Sequence, residues 1–290
     1  MVASAIVIGP VAERITLWGI ILYNMFFIGW VYPIVVHWCW SNGWLQAMGY
    51  LDQSGGGVVL MTAGFAGLFA CIIVGPRIDR YSPAHVADFR PNNVPFAVLG
   101  SMLIWFAFFA FNTVSTYGIV GFDSSRVPMA ALNTVLASAT GSIMAALTHY
   151  FTNRNTTYRY SNHYLLGGAL SACAAVSTAS SSISPWAAFI YGFVVGPFYV
   201  GIAKLLNRAH IDDPVDSIAI FAGGGAFGLI LTAFFETTYG VFYGGANVLG
   251  VNILAIVTIF AWVAIHTVIF MMILKATRLL RENPDVELMG

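Results

Sequence analysis

Two stretches decide how this chain folds: Asp52-Gln53-Ser54-Gly55-Gly56-Gly57-Val58-Val59-Leu60-Met61-Thr62-Ala63-Gly64 and Asp212-Asp213-Pro214-Val215-Asp216-Ser217-Ile218-Ala219-Ile220-Phe221-Ala222-Gly223-Gly224-Gly225-Ala226-Phe227-Gly228. In each, aspartate leads a glycine-rich run of otherwise apolar residues. An ionised side chain within a membrane is costly unless satisfied. An aspartate at a helix start meets free N–H groups and a favourable dipole. Asp52 and Asp216 are therefore read as structural carboxylates rather than as groups that bind substrate or carry protons.

The rest of the chain agrees with a membrane setting. Of 290 residues, 59% are hydrophobic and 8% charged, with a mean hydropathy of +0.80, against about 25% charged in ordinary soluble domains. Net charge is zero, so no basic surplus points to nucleic acid. Cys39, Cys71 and Cys173 are widely spaced in or beside apolar runs; they lack a C-x-x-C or an even-numbered framework and read as inert membrane thiols.

A spanning helix needs roughly 20 mostly apolar residues. Eight stretches meet or approach that length, at about 16–38, 56–75, 94–116, 127–150, 165–182, 185–206, 215–236 and 250–276, with a shorter run from Val2 to Val11 before them. Arginine and lysine favour cytoplasmic loops. Alternating from Arg14 inside, the same side collects Arg77, Arg80, Arg90, Arg154, Arg159, Lys204, Arg208, Lys275, Arg278 and Arg281, so eleven of the twelve cations share one side and Arg126 stands alone opposite. The expectation is an all-α polytopic membrane domain over 1–276 with a short cytoplasmic tail, 277–290. On this map the Asn155 sequon is cytoplasmic and unused.

The two opening stretches, with other motifs in order, resemble the ammonium transporter, methylammonium permease and Rhesus family. Val11-Ala12-Glu13-Arg14-Ile15 is similar to the sequence that follows the family's third helix. Tyr32-Pro33 through His37-Trp38-Cys39-Trp40-Ser41-Asn42-Gly43-Trp44-Leu45 resembles the outer end of the fourth. Asp52 to Gly67 resembles the fifth, and Asn92-Asn93-Val94-Pro95-Phe96 with Trp105 to Ser115 the sixth. Asp212-Asp213-Pro214-Val215-Asp216 is similar to the lead-in to the tenth. The resemblance implies an ammonium-transporter-like bundle built from two inverted five-helix repeats and a last oblique helix, as a homotrimer. On that plan the chain covers the later part of the third helix onward and lacks the first two and a half. Inverted repeats with a site at their interface are a general transporter design, and the echo between the two Asp-led stretches is the sequence trace of it.

The resemblance also assigns roles. Trp40, twelve residues before Asp52, would hold ammonium against its indole at the outer mouth, where a cation–π contact gives ~0.5–2 kcal/mol; the competing reading is an interfacial belt tryptophan. Ser115 would accept a hydrogen bond from the cation, or is a small packing serine. Phe111 would help gate the pore, or is one more apolar residue among Trp105, Phe106, Phe108 and Phe109.

The family places inward histidines eight residues after its first aspartate and five after the position of Asp216. Leu60 and Phe221 stand there. Imidazoles can hold substrate or relay a proton near neutral pH, whereas leucine and phenylalanine line a dry constriction. The six histidines are His37, His85, His149, His163, His210 and His266. His85, His163 and His210 are expected in cytoplasmic loops, and none is expected to replace the pair. No metal-ligand spacing, catalytic triad or phosphate loop is present in the sequence, so neither enzyme, metal nor cofactor is expected. The functional expectation is passage of ammonium, ammonia or methylammonium across the bilayer of a plasma membrane. The alternatives are a non-transporting scaffold or sensor subunit, or a fragment of a longer transporter.

Overall fold

The first apolar run forms helix α1 (Val2–Ile8), and Pro10 carries it into a closing 3-10 turn, Gly9–Val11. The next runs on from α2 (Leu17–Phe26) through a widened π turn, Phe27–Val31, into α3 (Tyr32–Trp40), and α4 (Trp44–Ala47) follows a bend. The remaining helices are α5 (Thr62–Val74), α6 (Val94–Val114), α7 (Arg126–Thr152), α8 (Asn162–Val176), α9 (Pro185–Arg208), α10 (Gly224–Phe235), α11 (Asn247–Ala276) and α12 (Pro284–Met289). The computed structural model describes residues 1–84, 89, 93–116, 125–154 and 161–289. Arg90, Arg159, His85, Asn92 and the Asn155 sequon lie outside the described residues.

Seven helical stretches among the described residues are long and apolar enough to cross a membrane: Leu17–Ala47, Gly56–Val74, Val94–Val114, Arg126–Thr152, Pro185–Arg208, Ile218–Phe235 and Asn247–Ala276. The stretch expected at 165–182 is different. Helix α8 has 15 residues, about 22 Å at 1.5 Å per residue, short of a hydrocarbon core of about 30 Å. Its serine-rich continuation turns instead, with Ser177 Oγ and Thr178 Oγ1 bonded to the carbonyls of Cys173 and Ala175. That turn receives the Asp52 loop: the N–H groups of Gln53 and Ser54 donate to the carbonyls of Thr178 and Ser177 at 2.8 and 2.9 Å.

Packing is set by glycine at one crossing. A Cβ built on Gly64 would lie 2.4 Å from the Ala222 nitrogen, and one on Gly225 would lie 2.3 Å from the Gly56 oxygen and 3.0 Å from the Met61 Cβ. Gly64 and Met61 are twelve and nine residues after Asp52, and Gly225 and Ala222 are twelve and nine after Asp213. Each segment thus places the same two positions against the same two of the other. That reciprocity is a local two-fold relation between the Asp-led segments.

The ends of α1, α5 and α11 meet at one end of the bundle around Arg14, which is fully buried. Its guanidinium donates to the carbonyls of Gly75 and Asp212, both at 2.7 Å, and to Cys71 Sγ at 3.3 Å. Asp212 is held in turn by Arg77 through Nε, Nη2 and its backbone N–H at 2.8, 2.9 and 3.0 Å, and by Arg80 at 3.3 Å. Burial raises the Asp212 carboxyl, but the Arg77 bonds and charge outweigh it and bring the net value below the ordinary range. The chain after α11 straps across this cluster. The Thr16 N–H meets the Leu280 carbonyl, Arg281 bonds the Val74 and Pro76 carbonyls, and Glu287 joins Arg281 to the Ile78 N–H.

Candidate functional site

Asp52 is buried one turn before a π-helical stretch, Gly56–Met61. Its Oδ2 accepts from the N–H groups of Gly57 and Val58 at 2.9 and 2.8 Å and from the Tyr50 hydroxyl at 3.2 Å, and its Oδ1 accepts from Gly55 N–H at 3.1 Å. Burial pushes the carboxyl up to about 6 while these donors oppose the shift. Gly55 turns the chain at φ +96°, a backbone state that glycine enters without steric cost. The N–H groups of Val59 and Leu60 both reach the Gly55 carbonyl, which widens the turn; such π bulges recur at functional sites.

Trp40 closes the same corner. Its Nε1–H donates to the Asp52 carbonyl at 2.9 Å, and the far edge of its ring would lie 3.0 Å from a Cβ on Gly55. The indole N–H is therefore bound to protein, which leaves the ring faces as the contact surface. Ser115 ends α6, and its hydroxyl donates to the Phe111 carbonyl at 2.6 Å. Its proton is thereby occupied, and its lone pairs remain to accept. Phe111 lines an open cleft of about 320 Å³ with Met1, Ala3, Ile28, Tyr32 and Val59. Trp40 and Ser115 are not among the residues that line it.

Leu60 and Phe221 occupy corresponding places inside the two π turns, Gly56–Met61 and Ile218–Gly223. Leu60 is buried, and Phe221 packs against the same apolar core. Both side chains are hydrocarbon and pack among apolar neighbours.

The second Asp-led segment differs from the sequence reading. The counterpart of Asp52 is Asp213, whose Oδ2 accepts from Ile218 N–H at 2.7 Å and whose Oδ1 accepts from Val215 N–H at 3.3 Å. Burial, and then the neighbouring Asp216, push Asp213 up to about 7. The spacing carried this signal: Asp213 precedes Phe221 by eight residues, as Asp52 precedes Leu60. Asp216 takes φ +53° and turns its carboxylate elsewhere. Its Oδ2 meets His163 Nε2 at 2.6 Å and accepts from the Tyr199 hydroxyl at 2.7 Å. His163 is thus not in a loop, as its position suggested, but in the first turn of α8. Tyr199 comes from α9 and reaches Asp216 beside Gly167, where a Cβ would fall 2.1 Å from its hydroxyl. No sequence spacing announces the trio, because three separate segments supply it.

The cysteines are free and buried, and no group of three or more His, Cys, Asp or Glu among the described residues could hold a metal ion.

Comparison with known proteins agrees with this architecture. The chain is 35% identical to "Ammonium transporter 1 member 2" of Oryza sativa subsp. japonica and 33% identical to "Ammonium transporter 1 member 1" of Arabidopsis thaliana; in both, 99% of the chain aligns with 64% of the relative. The chain thus spans just under two thirds of these relatives' length. Among solved structures, a "Sensor Amt Protein" superposes with a TM-score of 0.89 at 30% identity, covering all of this chain and 72% of that one. Mep2 of Candida albicans superposes with a TM-score of 0.87 at 26% identity, covering 98% of this chain and 64% of that one. The sequence profile of the Ammonium Transporter Family matches residues 1–290. With its paired Asp-led helices crossing at Gly64 and Gly225, this membrane protein belongs to the ammonium transporter family.

Proposed function

We propose that this chain conducts ammonium or ammonia across a membrane, recruiting the cation at Trp40 and Ser115 and passing it through an apolar middle at Leu60 and Phe221. The observation that carries the reading is the reciprocal crossing of the two Asp-led segments, which sets Leu60 and Phe221 in matching π turns. Asp52 supports the outer corner: its carboxylate is engaged by four donors while its carbonyl fixes the indole of Trp40. A desolvated cation on that ring gains up to about 2 kcal/mol. With hydrocarbon at both histidine positions, the species that crosses the middle is neutral ammonia, since a charge there meets the full cost of an unsatisfied ion in the bilayer. Phe111 gates the approach from the cleft it lines. The domain over 1–276 sits in the plasma membrane as a homotrimer, with the Arg14–Asp212 end and the tail 277–290 cytoplasmic by the positive-inside rule.

The test is methylammonium uptake by cells lacking their own transporters. Uptake above empty vector supports conduction, and uptake equal to it for the expressed protein rejects it. Restoring Leu60→His together with Phe221→His should change the rate and its pH dependence; identical behaviour of both versions would show that these positions do not limit passage.

The second reading is a sensor subunit, favoured by the likeness to a "Sensor Amt Protein" and by the two substituted positions. It requires that purified protein bind methylammonium while uptake stays at the empty-vector level.

A further inference from the structure

The pore's two histidine positions are hydrocarbon, yet a histidine stands at the foot of the same helix. Asp216 begins the turn that carries Phe221 five residues on, and its carbonyl accepts the Ile220 N–H at 2.8 Å. On the Asp216 carboxylate meet His163 Nε2 at 2.6 Å and the Tyr199 hydroxyl at 2.7 Å. The cluster is graded in exposure. Tyr199 is buried, the Asp216 side chain is 16% exposed and that of His163 is 39% exposed. The hydrogen-bonded cluster thus runs from a buried hydroxyl to an imidazole that meets solvent. His163 faces Asp216 and Asp213 from the segment before α10, and Tyr199 from α9. From its own helix it meets Tyr164 edge-on, with rings 5.6 Å apart, and Tyr164 stacks on His149 of α7 at 4.1 Å.

We propose that His163, held by Asp216 and Tyr199, is the inner proton-exchange residue of this transporter, converting ammonia that has passed Phe221 into ammonium at the exit. The proposal rests on the conduction reading above and goes beyond it by assigning a protonatable group to a pore without its usual pair. Asp216 keeps Nε2–H of the ring occupied, which fixes the tautomer. Nδ1 carries no hydrogen bond among the described residues and is the exchanging atom. In the inward direction the Nδ1–H bond of the imidazolium breaks and the proton forms the fourth N–H bond of ammonium, leaving neutral His163 with its Nε2–H. Water or a buffer acid on the inner side returns a proton to Nδ1, releasing hydroxide or the buffer's conjugate base. Nothing is oxidised or reduced, and the net change is protonation of ammonia by water or the buffer. The outward direction runs the same two steps in reverse.

The geometry also fixes what each partner does. Tyr199 shares its proton with the Asp216 oxygen that faces His163, so removing the hydroxyl concentrates negative charge on that oxygen. The imidazolium is then held more firmly, and the midpoint at which His163 gives up its proton rises.

The experiment uses the full chain in liposomes containing a pH-sensitive dye, with the initial response to an ammonium chloride jump followed from about pH 5.5 to 8, the interval in which histidine titrates. The unaltered protein should exceed protein-free liposomes and show one titration limb. His163→Gln should lower the rate about tenfold or more and flatten that limb, in line with the loss of a general acid–base group. Tyr199→Phe should keep the limb and move its midpoint upward. If His163→Gln elutes as a folded particle with the rate and midpoint of the unaltered protein, the proton-exchange role is overturned while conduction stands. Should His163→Gln fail to fold, Tyr199→Phe decides, and an unmoved midpoint overturns the proposal. An unaltered protein no faster than protein-free liposomes overturns both readings together.

Discussion

Gly64→Ala adds a single methyl group where the two Asp-led segments cross. A Cβ at this position would lie 2.4 Å from the Ala222 nitrogen, 2.7 Å from its Cβ and 2.8 Å from its Cα. Ordinary contact begins at 3.4 Å, so the nearest approach must open by 1.0 Å, the difference between 3.4 and 2.4 Å. The obstacle is backbone on a buried segment, which cannot rotate aside as a flexible side chain would. Overpacking of this kind costs about 1–3 kcal/mol, only partly offset by the ~1 kcal/mol that alanine gains over glycine within a helix. The matching control is Gly201→Ala in α9, where nothing lies within 4 Å of the added carbon; there the propensity term acts alone and stability should rise. Heating the detergent-solubilised protein and following tryptophan fluorescence with size-exclusion recovery reads both. At about 2–4 °C per kcal/mol for a large domain, Gly64→Ala should fall by up to about 8 °C and Gly201→Ala should rise by about 2–4 °C. Gly225→Ala, whose Cβ would meet the Gly56 oxygen at 2.3 Å, should behave like Gly64→Ala. Equal midpoints for Gly64→Ala and Gly201→Ala would refute the close crossing.

Three further outcomes follow from the same geometry. Asp52→Leu should prevent folding, because three buried N–H groups lose their acceptor at about 1–3 kcal/mol each, whereas Asp52→Asn keeps an amide oxygen for Gly57 and Val58 and should fold; recovery of monodisperse protein distinguishes them. Asp212 is lowered below the ordinary carboxyl value, so its contribution is fully present above about pH 4 and is lost as pH falls through the folded value. Below that range melting midpoints should fall more in the unaltered protein than in an Asp212→Asn protein, and an equal fall in both would assign it to other groups. Trp40→Leu should weaken methylammonium binding by about 2–30-fold, the equivalent of ~0.5–2 kcal/mol, while Trp40→Phe retains a ring face and most of the affinity. Equal affinity of both variants by equilibrium binding would remove Trp40 from the site.

The membrane class and the order of the helices could be read from the chain because they depend on local chemistry, and the family because its motifs are short runs of sequence. Long apolar runs, arginines gathered on alternate loops and an aspartate ahead of a glycine-rich helix each act through residues near in sequence. The fate of 165–182 was less legible. Hydropathy alone favours a span there, but the helix ends at Val176, and the loop after Asp52 binds the turn that follows. Which carboxylate caps the second segment was hidden for a related reason. Both Asp213 and Asp216 stand before the helix, and which one caps it depends on a left-handed backbone at Asp216 that swings its carboxylate toward α8 and α9.

The sequence by itself determined that the chain is a bundle of apolar helices, and its resemblance to the family implied that Leu60 and Phe221 stand where that family carries imidazoles. Both readings rest on residues close together along one segment: a run of apolar letters long enough to span, and short motifs that carry the resemblance. Only the tertiary structure decided that Gly64 seats on Ala222 and Gly225 on Gly56, that Arg14 is buried among carbonyls from distant segments, and that His163 and Tyr199 converge on Asp216. These are contacts between residues 17 to 198 positions apart. The packing of whole helices brings them together, and it is set by the summed shape of their side chains rather than by any local run of letters.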